Sequence, residues 1–315
     1  MSSCDVVIPT HGRPRLLSAL LESLAREARS SVHCVIIVDD TALPAGPEFR
    51  SPWPLRWVHL NERVFISEAK NIGLAHVDQP YVLFVDDDNI VTESTFPHPL
   101  SVLHERPEVA AVMPAVLYRR RPELVWVYAT PWKAGHWEFQ LIGRNRPRDP
   151  QREDRLLPTD ALPNAGFYSA AWLRKVGGWS HRLRVNSSAD LCRRLKTGGA
   201  EVWADSSSFI LHDVEAPGER AFWAGHQVSD LVRTEEEIVD WFGWQREEHP
   251  RMVGFRLRAA YHSLGFLLPL ALGTLVRSDS SFRRAAPFMA RGFLRGWKGA
   301  GSRTGARSDG QAPAP

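Results

Sequence analysis

The stretch Tyr81–Ile90, YVLFVDDDNI, sets three consecutive carboxylates, Asp86, Asp87 and Asp88, directly behind five residues of buried-strand character. The same grammar recurs upstream. CDVVIP (4–9) is a short strand, and Pro14 then stands where a first helical turn tolerates a missing N–H, with Leu16, Leu17, Leu20, Leu21 and Leu24 along one helix face. HCVIIV (33–38) is a second strand running into Asp39 and Asp40, LRWVHL (55–60) is a third, and Ser67 to Ala75 is the helix after it. Nearly continuous apolar strands alternating with helices predict an α/β fold, a mostly parallel sheet with helices on both faces. Ligands of such sheets bind beyond the carboxyl ends of the strands, and here those ends carry Pro9-Thr10, Asp39-Asp40 and the acid triplet.

Two unit charges about 4 Å apart repel by about 1 kcal/mol in water and about 4 kcal/mol at an effective dielectric of 20. Three neighbouring carboxylates on a concave rim therefore ask for a cation. Oxygen ligands suit Mg²⁺ or Mn²⁺, and Mg²⁺ is usually held by one or two carboxylates, with phosphate oxygens and water completing the shell. A metal-bound diphosphate is the ligand this rim predicts. Asp also favours turns, so the triplet alone reads equally well as a chain reversal; the second acid pair, at the end of another strand, weighs for a site. No GxxxxGK[ST] and no GxGxxG occupies the relevant turn, so a glycine cradle for phosphate is excluded.

Downstream, Arg119–Arg121 and RNRPRDPQREDR (144–155) read as exposed, charged loops. AAWLRKVGGW (170–179) is a helix stopped by two glycines, SSADLCRRLKT (187–197) is another, and EVWA (201–204) and FIL (209–211) are two apolar runs leading to His212. Taken in order, VVIPTHGRP, VIIVDD, SEAKNIGLA, YVLFVDDDN, GGW, ADLCRRLKTGGAEV and LHD resemble, in residues and spacing, the pattern of family 2 glycosyltransferases of the GT-A fold. The likeness covers about residues 4–213. It implies a Rossmann-like sheet and transfer of a sugar, with inversion, from a nucleotide diphosphate sugar, usually a uridine one such as UDP-GlcNAc or UDP-Glc. It further implies that Pro9 and Thr10 lie beside the nucleobase and that Asp39 accepts a hydrogen bond from uracil. Lys70, where the family often has Arg, faces the nucleotide or its phosphates as a point charge. Arg13 and Asn71 join it in the nucleotide set, and Asp87 approaches the ribose or donor sugar. Asp86 and Asp88 hold Mn²⁺ or Mg²⁺, with His212 reaching the ion from the far side. His212 has a plainer reading too, as a polar residue closing a strand.

Inversion of this kind needs a carboxylate base for the acceptor's proton. The family's Glu-Asp positions fall here on Ser187 and Ser188, with Asp190 matching the later acid. Three readings stand open: Asp190 serves after a small shift of the helix start, Asp160 before ALPNAG supplies the carboxylate, or an amine or phosphate acceptor needs no base. Ser187, Ser188 and Asp190 also suit a simple helix cap.

The 315 residues, 43% of them hydrophobic, suffice for one large α/β domain and an appendage. The boundaries read as a catalytic domain over 1–215, a helical region over 216–298 and a disordered Gly/Ser/Pro/Ala tail over 299–315. From Arg251 onward 11 Lys/Arg stand against 2 Asp, or +9 of the formal +3, which leaves −6 before it. That basic C-terminal part suits peripheral attachment to an anionic lipid surface, docking of an acidic carrier protein that presents the acceptor, or helices packed with Arg outward. Nucleic acid is not an expected partner, for want of a zinc-finger or RNA-binding signature. Three cysteines without a CxxC pair, and a start that enters a strand at once with no apolar leader, predict a cytoplasmic protein, at most peripheral on the inner face of the membrane. Two rivals remain, a sugar nucleotidyltransferase, which wants more glycine than PTHGRP offers, and a non-catalytic nucleotide-sugar-binding protein.

Overall fold

The computed structural model describes residues 3–41, 49–132, 140–149, 156–181, 183 and 187–214. The expected helical region 216–298, the tail 299–315 and residues 150–155 of the charged middle segment lie outside the described residues. Among the described residues no helix is long and apolar enough to cross a membrane.

The elements run β1 (Cys4–Thr10), α1 (Pro14–Glu27), β2 (Val32–Asp39), β3 (Leu55–His59), α2 (Ile66–Ala75), β4 (Tyr81–Val85), β5 (Asn89–Val91), α3 (Pro97–Glu105), β6 (Val109–Tyr118), β7 (Arg121–Val127), β8 (Leu156–Pro158), β9 (Ala165–Ser169), α4 (Ala170–Lys175), α5 (Ser187–Thr197) and β10 (Glu201–His212). The strands form a single sheet in the order β3-β2-β1-β4-β9-β6-β10-β5, with β7 added to β6 and β8 to β10. β3, β2, β1 and β4 are parallel, as are β6 and β10. β9 lies antiparallel between β4 and β6, so those two groups point the same way. The α/β sheet is as expected, but it is mixed and not mostly parallel: β1 to β4, β6 and β10 run one way, and β5, β7, β8 and the central β9 run the other.

Sequence pattern explains the core directly. Every residue of β1 and of β6 is buried, as befits strands flanked by helices. Leu17, Leu20, Leu21 and Leu24 recur at helical spacing and form the buried face of α1, each worth about 2 kcal/mol of burial. Pro14 opens that helix at its first position, where its missing N–H costs nothing.

Two further expectations need correction. EVWA and FIL belong to one strand, β10, whose register jumps from Asp205 opposite Pro114 to Phe209 opposite Ala115. Three serines between them form a bulge, and their polarity is what split the pattern. In the arginine-rich middle Arg119, Arg120 and residues 144–149 are loop as expected, but Arg121 begins β7, and Asn145 and Arg148 donate backbone hydrogen bonds to Val125 and Glu123, both at 2.8 Å. Exposed side chains there hid the strand pairing.

Candidate active site

Four strand ends meet at one rim. Thr10, the last residue of β1, is the register partner of Asp39, the last of β2. β4 stops at Val85 and the chain reverses through Asp86–Asp88 into β5, whose Asn89 pairs with His212 at the end of β10. Backbone hydrogen bonds fix the reversal: Asp86 N donates to Asn164 O (2.8 Å), Asn89 N to Asp86 O (3.3 Å) and Asp213 N to Asp88 O (2.9 Å). The reversal sets Asp88 opposite His212, with Nε2 3.5 Å from Oδ1.

The three carboxylates have different surroundings. Asp86 faces the Lys70 ammonium at 3.4 Å, and its Oδ1 is buried without a hydrogen bond. Asp87 is fully buried; it accepts from Thr10 Oγ1 at 2.6 Å and pairs with Arg13 Nη2 at 2.5 Å. Burial pushes its carboxyl up to about 6, with Asp88 and Asp86 adding to the rise and Arg13 and Thr10 opposing it. Asp88 accepts from Arg13 Nη1 and from Asn89 Nδ2, each at 3.1 Å. Burial works to raise its carboxyl as well, but the hydrogen bond and charge of His212, with Arg13, hold it below its ordinary value. Burial lowers the Arg13 guanidinium, yet the three carboxylates more than compensate and raise it.

Pro9 is buried in β1, paired in register with Val38. Asp39 accepts from the Thr41 amide at 2.9 Å and has His59 Nδ1 3.9 Å from its other oxygen. Asp40 takes His11 at 2.6 Å and the Val64 amide at 3.0 Å. His11 thus stands at the rim, and the sequence reading passed over it. Two more residues were missed: Asn164 holds His212 Nδ1 at 2.8 Å, and Trp126 meets the same imidazole edge to face at 5.3 Å. Asn164 sits at φ +66°, a conformation for which Asn in a PNAG turn is a fair sequence signal.

Three predicted residues are engaged away from the triplet. Asn71 donates to Trp179 O (2.9 Å) and accepts from Trp179 N (2.8 Å), which ties α2 to the Gly177-Gly178-Trp179 turn. Gly178 is at φ +68°, and a Cβ there would lie 2.4 Å from Asn71 Oδ1, so glycine is required. Lys70, one residue before Asn71, stands 6.0 Å from the centroid of the Trp179 ring. Asp190, in the first turn of α5, pairs with Arg194 Nε at 2.7 Å and Arg193 Nη2 at 3.4 Å. Arg194 in turn donates to Val176 O and Gly178 O, so GGW and the α5 segment form one locked unit. Asp160 accepts from Lys196 at 2.5 Å and from the Trp132 amide at 2.6 Å.

A divalent cation suits the Asp88 and His212 pair, which offers one carboxylate and one imidazole facing each other. Among the described residues no three His, Cys, Asp or Glu are arranged to hold an ion by themselves. An ion held there would need phosphate oxygens and water for its other positions, the usual arrangement for nucleotide-bound Mg²⁺.

Comparison with known proteins bears on this rim. The family described as Glycosyl transferase family 2 matches residues 5–175. Two uncharacterized glycosyltransferases of Haemophilus influenzae are similar over part of the chain. One is 28% identical over 99 residues, 30% of this chain and 37% of the relative. The other is 23% identical over 105 residues, 33% and 36%. The chain thus spans well under half the length of these curated relatives. Among solved structures, mannosyltransferase PcManGT from Pyrobaculum calidifontis, in complex with GDP-Man and Mn²⁺, superposes with TM-score 0.53 at 15% identity over 96% of this chain and 89% of that one. GalNAc-T7 with UDP, GalNAc and Mn²⁺ gives 0.54 at 11% identity over 77% and 47%. At such identities the likeness speaks for the fold.

Proposed function

Because the chain belongs to glycosyl transferase family 2, we propose that it transfers a sugar from a nucleotide diphosphate sugar, with inversion and with the help of Mn²⁺ or Mg²⁺. The donor we expect from the family resemblance is uridine-linked, such as UDP-GlcNAc or UDP-Glc, and the acceptor is a small molecule or is presented by a carrier or lipid. The observation that carries this is the Asp88 and His212 pair, 3.5 Å apart at the end of the sheet, with Lys70 and Arg13 beside it. Asp39 and Pro9 receive the base, Asp87 the ribose or sugar, and Arg13 and Lys70 the diphosphate. A bound cation supplies Lewis-acid stabilisation of the charge that builds on the departing diphosphate. Family membership sets the nucleotidyltransferase reading aside.

One observation favours a second reading, a donor-binding protein without transferase activity: serines stand at 187 and 188, and Asp190 and Asp160 are both held by basic side chains. Thermal shift with UDP, in Mn²⁺ or in EDTA, tests the first step. Ligand at a hundredfold excess over Kd stabilises by about 2.7 kcal/mol, and the shift is expected only with the metal and only while Asp88 is intact. An Asp88→Asn variant that keeps the full Mn²⁺-dependent shift overturns the assignment. Slow release of sugar from UDP-sugars by the wild type separates transferase from binding protein.

A further inference from the structure

Arg13 reaches across from the start of α1 and lies between two of the three carboxylates. Its backbone is fixed, because its carbonyl accepts from Leu16 N and Leu17 N, both at 3.1 Å, and Gly12 before it, at φ +62°, donates to Thr41 Oγ1 at 2.7 Å. Its side chain is half exposed, at 46%. Asp88 Oδ2 accepts from Arg13, and Oδ1 accepts from Asn89 and faces His212. A divalent cation held by Asp88 and His212 would share that carboxylate with the Arg13 guanidinium, a like charge whose repulsion favours its withdrawal. Asn89 is fully buried and His212 nearly so, which leaves Arg13 as the partner with room to move.

Resting on the cation and diphosphate reading above, we propose that Arg13 is the resident cation of the donor-free site. It yields Asp88 when a divalent cation arrives with a nucleoside diphosphate, keeps its arm on Asp87 and turns the other to the diphosphate. The two arms differ in the needed way: Asp87 is fully buried and anchored by Thr10, whereas Asp88 is 21% exposed and open to an incoming ion. Charge points the same way. With Arg13 and Lys70 in place a divalent ion meets two like charges beside the triplet, and the anionic diphosphate relieves both. Metal and nucleotide should bind together strongly and the metal alone weakly.

Mn²⁺ uptake by the full-length protein, read from the free-ion EPR signal with and without UDP, tests this without any turnover. Loss of a unit charge about 6 Å away, discounted for its exposure, gives the expected size. Arg13→Gln should bind Mn²⁺ alone about tenfold more tightly and should lose most of the gain that UDP confers; Arg13→Lys, which keeps the charge but not the fork, should bind Mn²⁺ alone near wild type. Equal or weaker Mn²⁺ binding by Arg13→Gln without UDP overturns the proposal. Should that variant fail to fold, Arg13→Met, which keeps the length and loses the charge, carries the same test with the same outcomes. No Mn²⁺ uptake even with UDP sinks the cation reading itself and this proposal with it, whereas uptake indifferent to Arg13 sinks the proposal only.

Discussion

Asp190 and Asp160 occupy the positions from which a general base is sought, yet both carboxylates hold neighbouring elements together. Asp190 is 6% exposed and Arg194 24%, and Arg194 carries hydrogen bonds to two carbonyls of the glycine turn. Removing one partner of a largely buried ion pair strands the other, at a cost of about 3–5 kcal/mol when burial is complete and less here. Asp190→Asn is therefore expected to destabilise by about 2–3 kcal/mol in urea unfolding, with donor hydrolysis reduced no more than about tenfold in the folded fraction. A hundredfold loss of turnover at unchanged stability would instead identify Asp190 as the base. Asp160 and Lys196 are each about a third exposed, and Asp160→Asn should cost under about 1 kcal/mol and leave hydrolysis within a few-fold of wild type. The acids of the triplet were legible in the sequence because adjacent like charges behind an apolar run repel one another, and a strand end where a cation can gather is the place that relieves them. Asn164 and Trp126 were not, since only the folded register brings them to His212, whereas His11, next to Thr10, was within reach of the same reasoning.

Helix α2 illustrates how an element delivers a residue to the site. It packs on β1 so closely that a Cβ on Gly73 would lie 2.3 Å from Val7 Cγ1 and 3.3 Å from Val38 Cγ2. Gly73→Ala gains about 1 kcal/mol of helix propensity, but overpacking of this kind costs about 1–3 kcal/mol, and backing the helix off β1 shifts Lys70 away from Asp86. The expected result is a net loss of about 1–2 kcal/mol in chemical denaturation, with weaker UDP binding. Trimming the partner in Gly73→Ala/Val7→Ala should recover part of the loss, and the double-mutant cycle should show coupling above about 0.5 kcal/mol. Strictly additive effects would mean that the two atoms do not meet. The alternation of strand and helix over the first ninety residues was readable because apolar period and turn residues agree there. β5 and β8 are only three residues long, and β7 opens on Arg121-Pro122-Glu123, so local pattern carried too little signal; β10 was split by the serines of its bulge.

At the scale of the whole sheet, three cysteines serve as native reporters. Cys4 lies in β1, Cys34 in β2 and Cys192 in α5, which packs on β10; all three are buried and free. Burial raises each thiol above its ordinary value, with Asp5 adding to the rise for Cys4 and Cys34. Buried protonated thiols are poor nucleophiles, so labelling has to wait for opening. Because β9 pairs with both β4 and β6, the parallel half that carries two of these cysteines and the half that carries the third share one continuous hydrogen-bonded ladder. Opening one half alone breaks that ladder in the middle of the core. We therefore expect a thiol reagent such as DTNB to find no fast-reacting group in native protein and three after denaturation, with all three appearing at one common rate that tracks global unfolding. Mass spectrometry of partly labelled protein checks the point: molecules with zero or three labels fit a single cooperative sheet, whereas early labelling of Cys192 alone would show that the half carrying His212 opens separately from the half carrying Asp39.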